Sequence, residues 1–136
     1  MMHRTLRLLL VLLPAMLAAC ASPLEDTAER ARTALVGLDE AGLKRCLGEP
    51  LAIHREGGSD LWLYFRETSR SATATSDTGY TPTGRDSVSY DYYRYCEAAF
   101  TLQGGRVRAV EFTGRTSTGR QTLEPCGALV ERCMKP

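Results

Sequence analysis

Four cysteines in the body of the chain constrain its fold more than any other feature: Cys46, Cys96, Cys126 and Cys133. An even number of cysteines in a short exported chain predicts two disulfides, and the N-terminus described below indicates export. Cys126 and Cys133 fall in a segment that the pattern predicts to be helical, where their spacing would separate the Cα atoms by about 10 Å, too far for a bridge. Each is therefore expected to pair with Cys46 or Cys96, and both pairings stay open.

The N-terminal segment has the layout of a secretory signal peptide. His3, Arg4 and Arg7 give it a basic start, and an apolar core runs from Leu8 to Leu17. Its ending, Leu17-Ala18-Ala19-Cys20, resembles the bacterial lipobox. The resemblance implies cleavage after residue 19 and acyl chains, including palmitate, on a new N-terminal cysteine.

The N-terminal segment is compatible with two other interpretations. Ala19-Cys20-Ala21 also fits a small-x-small cleavage site for ordinary secretion. A permanent transmembrane helix is less favoured, because the apolar run is shorter than the ~20 residues that span a bilayer. Ala21 is not the aspartate that, in enteric lipoproteins, retains the protein at the inner membrane. We therefore expect a lipid anchor on the periplasmic face of the outer membrane.

After removal of the signal peptide, residues 1–19, the body is a single domain at residues 20–136. Loss of Arg4 and Arg7 lowers the basic count from 17 to 15 against 16 acidic residues, so the net charge is near −1. That balance favours neither nucleic-acid binding nor a basic membrane-binding surface. The expected membrane contact is the lipid on Cys20.

The hydrophobic patterning predicts an α+β fold, with two short N-terminal helices packed on a three- to four-stranded antiparallel sheet and a short C-terminal helix. Three helices are predicted, at 22–36, at 39–47 and around 126–133. Ser22 is expected to cap the first, with Glu25 reaching back to it, and Asp39 is expected to cap the second. The predicted hairpins are 51–55 with 61–67 across a four-residue turn at 57–60, and 97–102 with 106–113. Val107 is out of phase with Val110 and Phe112, which predicts either a bulge near Arg108 or a two-sided strand. The run 61–65 is apolar on both faces and predicts a central strand. Residues 114–122 are interpreted as a polar connection.

A polar segment at about 68–88 interrupts this pattern and is interpreted as a flexible insertion. Tyrosines are the aromatic exception within and after it, and exposed tyrosine is favoured at protein interfaces. These residues are the candidate partner contacts: Tyr80, Tyr90, Tyr92, Tyr93 and Tyr95. The alternative is that they belong to a strand that leads into Cys96.

Several segments together resemble a family of small lipoproteins. They are Leu38-Asp39-Glu40 through Leu43, Leu47-Gly48-Glu49-Pro50, Trp62 and Tyr64, and Gly104-Gly105-Arg106-Val107. Behind a lipobox, this order is similar to that of the SmpA/OmlA (BamE-like) outer-membrane lipoproteins. The resemblance covers about residues 37–113 and implies two helices on a three-stranded antiparallel sheet. The long insertion, the paired cysteines and the C-terminal helix are additions to the family pattern.

The sequence offers no catalytic constellation and no predicted cofactor or metal. His54 has no adjacent nucleophile, a dyad with Cys46 needs a free thiol, and no cysteine pair has zinc-ligand spacing. The favoured hypothesis is a non-catalytic structural or accessory protein that binds envelope proteins and acts in outer-membrane protein assembly or envelope integrity, with the outer-membrane assembly machinery among its expected partners. The alternative is a periplasmic binding or inhibitor module that captures a hydrolase or a cell-wall polymer.

Overall fold

The computed structural model describes residues 22–76 and 86–136. In these ranges three α-helices and a final 3₁₀ turn accompany one antiparallel sheet of four strands in the order β1-β2-β3-β4. The elements are α1 (Pro23–Ala34), α2 (Glu40–Leu47), β1 (Ala52–Glu56), β2 (Ser59–Ser76), β3 (Asp86–Gln103), β4 (Arg106–Thr116), α3 (Glu124–Val130) and the 3₁₀ turn Glu131–Met134. The predicted α+β class and the helices that flank the sheet in sequence are confirmed.

Both N-terminal helices begin where the capping signals predict. The Ser22 side chain accepts a hydrogen bond from the Glu25 N–H at 3.2 Å, and Pro23 takes the first helical position of α1. Asp39 caps α2 by accepting from the Gly42 N–H at 2.7 Å. The Glu25 carboxylate, which was predicted to complete the capping box on α1, accepts from the Thr122 hydroxyl at 3.0 Å. Glu25 thus joins α1 to the segment before α3.

The two hairpins are tighter than predicted. Glu56 pairs with Ser59, so β1 and β2 are joined by the two residues Gly57 and Gly58 rather than by four. Both glycines have positive φ, 59° and 82°, a conformation that favours glycine and suits the right-handed twist of a two-residue hairpin. Gly104 and Gly105 make the same kind of turn between β3 and β4.

The predicted bulge in β4 is confirmed. Thr101 pairs with Ala109 while Leu102 pairs with Val107, which leaves Arg108 without a partner in the register. The extra residue brings Val107 back to the face that carries Val110 and Phe112, and all three are buried. β4 also extends to Thr116, so the first part of the predicted connection at 114–122 is strand.

The segment at about 68–88, predicted to be a flexible loop, is strand at 68–76 and from residue 86 onward. β2 continues to Ser76 and β3 starts at Asp86, and their pairing is regular from Asp60↔Leu102 to Ser76↔Asp86. A polar segment can form this ladder because threonine favours extended backbone. Residues 77–85 lie outside the described part of the chain.

The helices cover one face of the sheet, and the core lies between them. Trp62, Ala98, Phe100 and Leu102 project from the sheet toward the helices and are buried. From α1, Ala28, Ala31 and Leu35 meet them, which confirms most of the predicted apolar stripe; Leu24, at its start, is half-buried. The central position predicted for 61–65 is confirmed for residues 61–63, where β2 lies between β1 and β3.

Two disulfides fix the C-terminal segment to this layer. Cys46 of α2 is bonded to Cys133 of the 3₁₀ turn, and Cys96 of β3 is bonded to Cys126 of α3. The structure thus selects one of the two pairings that the sequence left open. Cys96 and Cys126 are fully buried, whereas Cys46 and Cys133 are partly exposed.

Candidate functional site

The face of the sheet opposite the helices is uncovered by any other element of the described residues. Side chains alternate along β2 and β3, so this face carries Leu61, Leu63 and Phe65 from β2, and Tyr93 and Tyr95 from β3. We call these five residues the aromatic face. Phe65 is 48 % exposed and Tyr93 is 43 % exposed.

Stacking makes the aromatic face a preformed surface. The rings of Phe65 and Tyr95 lie 5.8 Å apart between centroids, with 30° between their planes. They are diagonal neighbours, because Phe65 pairs with Glu97 and Tyr95 pairs with Glu67. Aromatic pairs of this kind add about 0.5–1.5 kcal/mol beyond the area they bury. The two rings therefore hold each other in position while one side of the pair stays open to solvent.

The charges that surround the aromatic face are mostly acidic. Register places four exposed carboxylates on this side of the sheet: Glu56, Glu67, Glu97 and Glu111. On the same side, register places Arg115 opposite Tyr95 and Arg106 opposite Gln103, and the Arg106 guanidinium donates to the Gly37 carbonyl oxygen at 2.9 Å. The carboxylates outnumber the guanidinium groups that register places there. An apolar centre within an acidic border suits a partner whose own apolar patch is flanked by lysine or arginine.

The predicted tyrosine contacts divide between the two sides of the sheet. Tyr93 and Tyr95 belong to the aromatic face, whereas Tyr92, one residue out of phase, lines a cleft on the helix side. Tyr90 lies in β3, but its side chain is outside the described part, and Tyr80 lies wholly outside it. Sequence reasoning missed Phe65, Leu63 and Leu61, although the two-sided apolar run 61–65 was the signal that the second face of β2 is apolar.

The cleft on the helix side lies between the end of the sheet and the ends of two helices. It is lined by Leu24, Thr68, Ser69, Tyr92, Arg94, Glu124, Pro125 and Ala128. Arg94 and Glu124 form an ion pair across it, with Nη1 and Oε2 at 2.7 Å. Because both side chains are already paired with each other, the cleft presents no free charge from this pair to a ligand.

His54 and Cys46, the residues of the possible catalytic dyad, do not form a site. His54 lies on β1 and is exposed, and Cys46 is bonded to Cys133, so the two do not form the dyad that was considered. Burial, with a smaller effect from Glu49, raises the pKa of Tyr64 to about 12, and its hydroxyl donates to the Gly48 carbonyl oxygen at 3.1 Å. Tyr64 is thus held neutral inside the fold. Among the described residues, no three His, Cys, Asp or Glu side chains lie together as a metal site.

Cys20 itself lies outside the described residues, and the folded body is described from Ser22 onward. None of the described helices has both the length and the apolar composition needed to cross a bilayer. No family model matches the sequence, and comparison with curated proteins and with solved structures likewise gives no match.

Proposed function

We propose that this protein is a lipid-anchored accessory of the bacterial envelope that acts by binding other envelope proteins through its aromatic face. The observation that carries the proposal is the stacked Phe65–Tyr95 pair on a sheet face that no described element covers. Exposed aromatic residues in a contiguous apolar patch are typical of protein interfaces.

The anchor is proposed from the sequence. Cys20 ends a lipobox, and α1 is capped by Ser22, so only Ala21 separates the acylated residue from the cap of the first helix. Two or more acyl chains hold a soluble domain stably on a bilayer, whereas one chain gives marginal binding. With so short a tether, the N-terminal end of α1 stays at the membrane surface, and the domain binds partners that are themselves in or near that membrane.

Outer-membrane location and membership of the SmpA/OmlA (BamE-like) group are part of the same proposal. They rest on Ala21 after the lipidated cysteine and on the order of motifs from Leu38 to Val107. Two N-terminal helices followed by an antiparallel sheet are compatible with that group, although four strands are present here rather than three. The outer-membrane assembly machinery is accordingly the first partner to test.

Lipidation is tested by mass spectrometry of the mature N-terminus, together with membrane fractionation. We expect an acylated Cys20 as the first residue, incorporation of labelled palmitate, and loss of both in the variant Cys20→Ser. Cleavage after another residue, with no palmitate in the native chain, would refute the anchor.

Partner binding is tested by pull-down from detergent-solubilised envelopes. We expect a specific envelope protein to be recovered with the native chain and lost with the double variant Phe65→Ser and Tyr95→Ser. The matched control is Leu51→Ser, because Leu51 is 75 % exposed but lies outside the aromatic face. Equal recovery by all three proteins would refute the aromatic face as the contact. Recovery of nothing, together with inhibition of an envelope hydrolase or binding to peptidoglycan, would favour the inhibitor alternative.

A further inference from the structure

The outer edge of β2 is open along most of its length. β1 pairs only with residues 59–63 of β2, while β2 runs on to Ser76. The Leu63 carbonyl oxygen accepts from the Leu51 N–H on the β1 side, so the odd-numbered residues of β2 direct their backbone groups away from β3. From Phe65 to Thr75, these groups meet no other strand of the described residues.

The far part of the β2–β3 hairpin projects as an isolated two-stranded ribbon. β4 pairs with β3 only as far as Arg94, and the Ser117 N–H just after β4 donates to the Tyr93 carbonyl oxygen at 2.7 Å. Neither β1 nor β4 reaches the ladder from Arg70↔Tyr92 to Ser76↔Asp86. We call this ladder the arm. A two-stranded ribbon is marginally stable in water, and three or more strands are needed for independent stability. The β2 strand of the arm contains no proline and no bulge of the kind that protects edge strands, and Arg70 is its one charged residue.

We propose that the arm pairs with the arm of a second copy of this chain, β2 against β2 and antiparallel, about a two-fold axis at Ser71. A second copy is the favoured occupant because one symmetric contact turns two marginal ribbons into a four-stranded sheet and uses both open edges at once. The contact is made by the backbone edge of β2 from residue 66 onward, whereas the residues of the aromatic face lie on β3 or end at Phe65 on β2. Self-association is therefore independent of the proposed function.

Charge and backbone direction select the register. The odd-numbered residues of β2 carry the outward backbone groups, so in an antiparallel pair each must lie opposite an odd-numbered residue of the second copy. The two-fold axis then lies at a residue that is opposite its own copy, and not between two residues. An axis at Arg70 would place that arginine opposite itself, and an axis at residue 68 would place Arg66 opposite Arg70. With the axis at Ser71, Glu67 lies opposite Thr75, Ser69 opposite Thr73 and Arg70 opposite Ala72. This register pairs the longest stretch of open edge, residues 66–76, without opposing like charges.

Single cysteines test the register in the full chain in its membrane, because the four native body cysteines are already paired. Oxidation should give a dimer with Ser71→Cys and none with Ser69→Cys or Thr73→Cys. In the proposed register, residue 69 lies opposite residue 73 of the second copy. The two copies of residue 69 are therefore about four residues, or about 13 Å, apart along the strands, and so are the two copies of residue 73. A disulfide needs Cα atoms within about 7 Å. Equal cross-linking at the three positions, or none at Ser71, would overturn the proposal.

A proline variant tests the edge itself. The N–H of Thr73 points outward, so Thr73→Pro removes a bond of the proposed dimer and leaves the β2–β3 ladder intact. Sedimentation of the detergent-solubilised full chain should give a dimer for the native protein and for the control Thr73→Ala. Thr73→Pro should give a monomer, with unchanged circular dichroism and both disulfides present. A monomeric native protein, a dimer that survives Thr73→Pro, or a second polypeptide on the edge in place of another copy would each overturn the proposal.

Discussion

Gly127 allows α1 and α3 to approach each other closely, and its replacement by alanine tests whether this approach or local helix propensity decides the change in stability. Gly127 lies within α3, where α1 packs against it. Its φ is not positive, so local conformation alone makes Gly127→Ala favourable by about 1 kcal/mol, the difference in helix propensity between the two residues. The tertiary structure predicts the opposite sign.

The size of the effect follows from the distance between the helices. A Cβ at Gly127 would lie 1.8 Å from the Leu24 carbonyl oxygen and 2.5 Å from its carbonyl carbon, whereas ordinary contact begins near 3.4 Å. These are backbone atoms, so a change of rotamer cannot remove the overlap and one helix must move. α3 is restrained by the adjacent Cys96–Cys126 disulfide. Overpacking of this kind costs about 3 kcal/mol, which exceeds the gain in propensity.

The measurement is thermal unfolding of the oxidised protein, with urea unfolding as a second readout. We expect Gly127→Ala to lower the melting temperature by about 10 °C, from the usual relation between stability and melting temperature in a domain of this size. The control is Gly37→Ala, where φ is +90° but nothing lies within 4 Å of the added Cβ, so a loss of only about 1 kcal/mol is expected. An unchanged or raised melting temperature in Gly127→Ala would refute the reasoning.

Two further predictions concern stability. Replacing Cys46 and Cys133 together by alanine opens a loop with a sequence separation of 87, and the chain-entropy relation gives a loss of about 4–5 kcal/mol in urea unfolding; a loss below about 1 kcal/mol would contradict it. The pKa of Tyr64, raised from 10.0 to about 12, means that folding favours the neutral phenol, so its contribution is fully present below pH 10 and is lost as the pH rises from 10 through 12. Between pH 10 and 12, the free energy of unfolding of Tyr64→Phe should therefore fall less steeply than that of the native protein, by about 1.4 kcal/mol per pH unit. At neutral pH the variant should be less stable by about 1 kcal/mol, because it lacks the hydrogen bond to Gly48. Parallel pH profiles for the two proteins would contradict this.

Local signals predicted the helix starts and the bulge because each depends on a few neighbouring residues. Ser22 and Asp39 accept from N–H groups in the first turns of the helices that they cap. Val107 is out of step with the alternation of Val110 and Phe112, and the unpaired residue Arg108 accounts for the difference. The arm was missed because its polar composition is equally compatible with a loop. Its strand conformation depends on pairing between Thr68–Ser76 and Asp86–Arg94, which no short window of sequence contains.

The sequence by itself determined the α+β class, the caps, the bulge and the exclusion of a Cys126–Cys133 bridge, because these depend on local hydrogen bonding, periodicity and covalent reach. Only the tertiary structure decided that Cys46 bonds to Cys133, that Phe65 stacks on Tyr95, and that Tyr92 faces away from Tyr93. Those outcomes depend on which strands pair and in which register, and a shift of one residue would move every side chain to the other face of the sheet.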